Sequence, residues 1–448
     1  MAALAETLDR ETPDATVVSA ARRAGTPPPE AVPVLLPWVR TQSVNVVRHA
    51  AALRPFRAGE FGNGAAAPSD GHLQATNQLL SGLRRLLIAE TRKVSRAAEL
   101  ATAEPSSQRL AEMVALKERA HRLVMATEKV WDFYFELFGQ RQSRYADWLL
   151  SCDRIALDCY QVAYMGAGKA KPIPAPPPFS YMRTGFSPAT FRRRIPLSRL
   201  GKQLNPFPLI ELPYHRLVNP WTLGAVLHEV SHNLHSDMGM NRSVPRRIAA
   251  RLLQAGLPAA VANTWTRWNR ETFADMSGLL LGGSTIVGSL MDVIGRGPVT
   301  TITFSPSGVH PTPYLRGLVS CELLGRMGFP RRAERYRRMW RRIYPNPGAA
   351  NLPPLLLGSF EKACPIVVNA ICFEPYEELG GKSLAQVIPY GPKEDLMVEE
   401  AARRLAAGND PGIIPARFLI GAARRALERR LTRPGAIARN FYRELARR

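Results

Sequence analysis

Long apolar runs are missing from this chain. Crossing a bilayer takes roughly 18 to 20 consecutive apolar residues, and no uninterrupted run in the 448 residues reaches that length. The longest candidate, Met276 to Met291, is broken by glycine and serine and bounded by Asp275 and Asp292. The first residues, MAALAETLDRETPDA, carry early acids and no apolar core, so no secretory leader is expected there. Cysteine is sparse. Cys152, Cys159, Cys321, Cys364 and Cys372 form an odd set without a CxxC pair. They read as reduced thiols of a cytoplasmic protein, not as a disulfide frame or a cysteine-built zinc site.

Lysine is scarce as well, although the formal charge is +23. A balance this basic admits a nucleic-acid or anionic-membrane partner. Most of the charge is arginine in an Ala- and Pro-rich sequence, and its spread reads as a generally basic surface. One local cluster stands out, Arg331-Arg-Ala-Glu-Arg-Tyr-Arg-Arg-Met-Trp-Arg-Arg342. Its helical face can meet phosphates or an acidic partner, with Tyr336 and Trp340 placed for stacking. Nucleic acid is therefore kept as an alternative partner.

The length allows two or three domains. Residues 1–71 are rich in Pro, Ala and Gly and read as a poorly ordered arm, except for an apolar patch from Val32 to Val39. Residues 72–165 are strongly helical. Leu79, Leu80, Leu83 and Leu87 repeat at helical spacing, a second run spans Leu110 to Leu137, and a third holds Trp148 to Tyr160. Residues 166–204 begin with GAGKAKPIPAPPP and read as a Pro-rich linker. A catalytic core is expected over 205–345, and a helical, Arg-rich region over 346–448. Within the core, Leu209 to Val218 reads as a short edge strand, placed where an extended peptide can be added to a sheet.

The chemistry sits in Ala225-Val-Leu-His-Glu-Val-Ser-His-Asn-Leu234. At 3.6 residues per turn, His228 and His232 share one helix face, where two neutral imidazoles can grip one Zn²⁺. Glu229 lies just round the helix, where its carboxylate can take a proton from a metal-bound water. Catalytic zinc normally has three protein ligands, so one is still to be found. His235 does not complete a metzincin pattern, which needs Gly at its place and a further His where Met238 stands. Asp237 lies five residues past His232 and turns away from the metal face. Glu271 is the best candidate. It stands four residues before Asp275 on an expected helix, so both carboxylates share a face and call for a cation between them. Asp275 is then placed to accept the free ring N–H of a ligand histidine.

HExxH, followed by Arg270-Glu271-x-x-Ala274-Asp275 and then His310-Pro-Thr-Pro-Tyr-Leu-Arg316, resembles the gluzincin metallopeptidases. The likeness is greatest to the CAAX prenyl proteases and the HtpX-type and Oma-type quality-control proteases, and it covers about residues 205 to 330. That resemblance implies that His310 and Arg316 stabilise the transition state. A residue before proline is driven out of the helical region, so His310 belongs to an extended loop, with Arg316 in the first turn of the next helix. Members are commonly membrane-embedded, and prenylated or membrane substrates are not carried over to this protein.

The sequence therefore leads us to expect an α+β, mostly α-helical fold with a gluzincin core, a small sheet and helical flanking parts. The function expected is that of a cytoplasmic endopeptidase acting on a protein or peptide. It would carry one Zn²⁺ on His228, His232 and Glu271, with Glu229 as general base and His310 and Arg316 as catalytic groups. The alternative is a zinc-binding regulatory protein, catalytically restricted or inactive and associated with nucleic acid.

Overall fold

A computed structural model describes residues 32–168, 175–201 and 203–448. The protein is mostly helical, with one small three-stranded sheet. It divides into two units, the first made of Met1–Ser143 with Phe191–Phe207, the second of Arg144–Thr190 with Pro208–Arg448.

The first unit holds three long helices, α1 (Val32–Ala52), α2 (Asp70–Ala103) and α3 (Ser107–Gly139). Serine opens both long partners. The hydroxyls of Ser69 and Ser106 accept the backbone N–H of His72 and Arg109, satisfying donors that a helix start leaves orphaned. Of the expected stripe along α2, Leu80, Leu83 and Leu87 are fully buried and Leu79 is half-buried; Val94 extends the buried face. Val46 of α1, Val94 of α2 and Ala120 of α3 share one small core, and Val39, Ala97 and Met113 another. Residues 32–71, expected to be poorly ordered, are instead a helix followed by a loop pinned by buried Phe56 and Phe61; residues 1–31 lie outside the described residues. Two prolines, Pro33 and Pro37, obscured the helical pattern. Phe207 stacks on Phe138 and so belongs with these helices.

The second unit begins with α4 (Ala146–Gly166), which the sequence had grouped with the N-terminal helices. Three strands follow, β1 (Phe179–Met182), β2 (Ala189–Phe191) and β3 (Leu209–Leu212), in the order β1-β3-β2. Two of them lie in the stretch read as a Pro-rich linker. β3 pairs in parallel with β1 and is the central strand, so the edge strand expected at Leu209–Val218 is corrected on two counts. The strand stops at Leu212, and Tyr214–Val218 is a single-turn helix.

Beyond the sheet come α5 (Gly224–Asp237), α6 (Ser243–Gln254), α7 (Ala259–Gly282), α8 (Ile286–Ile294), α9 (Pro313–Arg326) and α10 (Pro330–Ile343). They are followed by α11 (Pro354–Cys372), α12 (Pro392–Ala407), α13 (Phe418–Glu428) and α14 (Pro434–Arg447). Residues from α4 to α14 share one continuous apolar core, so no unit boundary falls at 345/346. The apolar run from Met276 to Met291 is divided between α7 and α8 by a turn at Gly283. There φ is +82° and a Cβ would collide with the Tyr390 ring, so only glycine fits. Among the described residues, α11 alone is long and apolar enough to cross a membrane, with a mean hydropathy of 1.5 and half of that window buried. Its Phe360, Val367, Val368 and Ile371 face lies in the common core.

Charge is buried in the C-terminal part too. The Asp395 carboxylate, at the start of α12, accepts hydrogen bonds from Arg425 at 3.1 and 3.2 Å, from Arg332 at 3.2 Å and from the Tyr390 hydroxyl at 3.1 Å. The Ser284 hydroxyl donates to it as well. Arg425 also reaches Glu399 at 2.9 Å.

Candidate metal centre

Helices α5 and α7 pack face to face because α7 presents glycine where they cross. A Cβ at Gly278 would stand 3.4 Å from the backbone nitrogen of His228, the limit of ordinary contact. One at Gly282 would lie 2.3 Å from Leu227 Cδ1. Pro220 opens a 3₁₀ turn, and α5 proper starts at Gly224. The Asn233 amide donates to Thr190 Oγ1 at 2.9 Å, which fixes α5 against β2.

On this frame His228, His232 and Glu271 converge. The two Nε2 atoms are 3.1 Å apart, and Glu271 Oε2 and Oε1 lie 3.4 Å from His228 Nε2 and His232 Nε2. Four ligands about 2.1 Å from a tetrahedral cation stand about 3.4 Å from one another, so these spacings fit one small metal ion. The three residues form a group able to hold a metal. Asp275 Oδ1 is 2.9 Å from His228 Nδ1, a placement suited to hold a proton on that nitrogen when Nε2 turns to a cation.

Charge makes the same case. Burial opposes ionisation of His228, but the carboxylates of Asp275 and Glu271 prevail and raise its pKa to about 10. Burial, with His228 beside it, lowers His232 to about 3. Burial works to raise Glu271, yet its contact with His228 and the charges of His228, His232 and Arg316 lower it to about 2. Burial likewise opposes ionised Asp275, but Arg316 and His228 hold it well below the ordinary aspartate range. Neutral His232 and ionised Glu271 are in the state a divalent cation requires of its ligands, whereas His228 is charged at neutral pH and would release a proton on binding one.

Glu229 is buried, and burial raises its pKa to about 7. No cation among the described residues pairs with it within ion-pair distance. It lines, with His228 and Glu271, a recess of about 150 Å³ whose other walls are Ser187 and Pro188 before β2 and Ile286, Leu290 and Val293 on α8. His310 sits at a bend in the loop before α9. Its side chain is 64% exposed and its Nε2 is 3.4 Å from Glu271 Oε2, at the mouth of the cluster. Arg316 departs from expectation. Its Nε and one terminal nitrogen each donate to Asp275 at 2.7 Å, and the guanidinium is turned to the carboxylate behind His228.

The two rejected ligands have other work. The His235 ring stacks on Phe273 with centroids 4.3 Å apart, and Asp237 accepts from the Tyr160 hydroxyl at 3.1 Å. The basic helix α10 also differs from its sequence reading. Trp340 is buried with its Nε1 donating to the Tyr314 carbonyl at 2.9 Å, and Tyr336 packs on the core, so neither ring is free to stack on a base. Arg337 and Arg341 pair with Glu334 and Glu361 at 3.1 and 2.7 Å. Sequence reasoning missed the recess wall supplied by α8 and by Ser187–Pro188; the Ile286, Leu290, Val293 spacing was its one visible signal.

No protein-family model, curated protein or solved structure matches this sequence.

Proposed function

We propose that this protein is a zinc-dependent endopeptidase of the gluzincin kind. The observation that carries the reading is the convergence of His228, His232 and Glu271 beside a buried, unpaired Glu229. Two imidazoles and one carboxylate are a donor set that suits zinc better than hard, oxygen-seeking cations. Bound there, zinc would supply Lewis acidity toward a peptide carbonyl and a water of lowered pKa.

The protein's own residues do the rest. Asp275 orients His228 and fixes its tautomer. Glu229, with a pKa near neutrality, accepts a proton from water and returns one to the leaving amine; a group poised near the working pH does this best. His310, exposed at the mouth, is placed to donate to an oxyanion forming on the substrate. Arg316 acts through Asp275, which makes it a positioning residue. With β3 inside the sheet, the edge available to an extended peptide is β2, whose approach through Ser187 and Pro188 borders the recess.

The test combines metal analysis with cleavage of an unfolded protein such as casein. Glu229→Gln should keep one zinc per molecule and lose cleavage, and His232→Ala should lose both. Full cleavage by Glu229→Gln would end this mechanism. Metal without cleavage in the unsubstituted protein would leave a zinc-binding regulatory protein.

A further inference from the structure

Past the α8 end of the recess, the β1–β2 loop and the end of α8 meet around one exposed ring. Phe186, 53% exposed, lies under the guanidinium of Arg296, whose Cζ is 4.1 Å from the ring centroid. Arg216 Cζ is 5.7 Å from the same centroid. Arg216 is buried, 5% exposed, and its Nε has no hydrogen-bond partner. Neither arginine makes an ion pair with a carboxylate among the described residues. Asp292, whose charge acts on Arg216, is held by Arg424 at 2.6 Å. Burial disfavours the charge on Arg216, Asp292 offsets this in part, and Arg296 adds repulsion.

Two guanidiniums on one ring, one of them buried and without a counter-ion, form a costly arrangement. The other buried arginines of this unit avoid it, Arg417 by pairing with Asp158 at 2.9 Å and Arg425 with Asp395 at 3.1 Å. An anion arriving from outside would relieve the cost, and a planar fork suits a carboxylate. The location connects this site to the recess. Ser187 and Pro188, which follow Phe186 directly, line the recess, as does Val293, in the last turn of α8 and three residues before Arg296.

We propose that Arg216 and Arg296 form a carboxylate-binding subsite at the Phe186 end of the recess. It would select peptides presenting a free carboxylate there, either the terminal carboxylate of the peptide or that of an Asp or Glu side group. The peptide part rests on the peptidase reading, and the binding of a carboxylate does not.

The experiment uses the full-length protein stripped of metal, so that no carboxylate can ligate zinc. Three probes are titrated by calorimetry: N-acetyl-Leu-Leu with a free C-terminus, the same peptide as its C-terminal amide, and N-acetyl-Leu-Glu amide. At least one carboxylate probe should bind about tenfold more tightly than the neutral amide, as one charged hydrogen bond implies. The tighter of the two identifies the source. Arg296→Met, at a surface position, should fold normally and lose most of the difference. Arg216→Met should do the same where it folds. Equal binding of the three probes, or a difference that persists in Arg296→Met, would overturn the proposal. Tighter binding of inorganic phosphate than of either carboxylate would also overturn it. A fully active Glu229→Gln enzyme would remove the peptidase reading while leaving this titration to stand or fall alone.

Discussion

The second unit buries two clusters of charge, and they are balanced in opposite ways. Around Asp395, every carboxylate oxygen meets a donor of the protein itself, from Arg425, Arg332, Tyr390 and Ser284. Around His228 the acids Glu229, Glu271 and Asp275 face a single permanent cation, Arg316, which is bound to Asp275 at 2.7 Å and reaches Glu271 only at 3.9 Å. The first cluster is complete without help and ties α12 and α13 to the turn after α7. The second has bare ring nitrogens turned toward each other and toward a carboxylate. Burial alone does not mark a functional site; a deficit of internal partners does.

The sharpest break between the clusters comes from one substitution in each. Glu271→Gln should abolish stoichiometric zinc and lower cleavage by about 10²- to 10⁴-fold or more, measured by metal analysis and peptide assay. Asp395→Asn should leave the zinc content unchanged and cost about 3 to 5 kcal/mol of stability in denaturant unfolding, because it strands buried guanidiniums. If Asp395→Asn lost zinc as well, the clusters would not be separable.

Metal should stabilise one cluster only. Zinc at a hundredfold excess over its dissociation constant should add about 2.7 kcal/mol to the unfolding free energy of the parent protein. It should add nothing to His228→Ala. Gly278→Val should force α5 and α7 apart at an overpacking cost of about 1 to 3 kcal/mol, with weakened zinc affinity in a chelator competition.

The smallest effect is on acid stability. Burial works to raise the pKa of Asp395, but the Arg425 and Ser284 hydrogen bonds and the charges of Arg425 and Arg332 outweigh it and hold it below 3.8. The stabilisation is therefore present above the ordinary carboxyl value and fades as pH drops through the lowered one. Thermal melts below about pH 4 should show a shallower fall for Asp395→Asn than for the parent.

Residues close in sequence were legible because helical periodicity places them. The HExxH pair, the Glu271–Asp275 face and the limits of α12, set by Pro392 and Gly408, follow from spacing and caps. Features that depend on distant pairing were not. β1 and β2 are four and three residues long and sit in proline-rich surroundings; only their partnership with β3 makes them strands. Which side of α10 faces inward was hidden by its dense arginines, so Trp340 looked available when it is core. Arg316 was found by its motif, but its partner Asp275 is 41 residues away, and only the packing of α9 on α7 joins them.

The glycine contact between α5 and α7 also bears on which ion is admitted. At Gly278 there is room for little more than a Cβ before the backbone of His228 is met, so the gap between the paired imidazoles and Glu271 depends on that close approach. Contact there stops the helices from closing further, and a larger residue at Gly278 would widen the gap. Calcium, which seeks six to eight oxygens at about 2.3 to 2.6 Å, would meet two imidazole nitrogens beside Glu271. If a metal binds as proposed, Gly278 and Gly282 are what keep its three ligands within reach of a single ion.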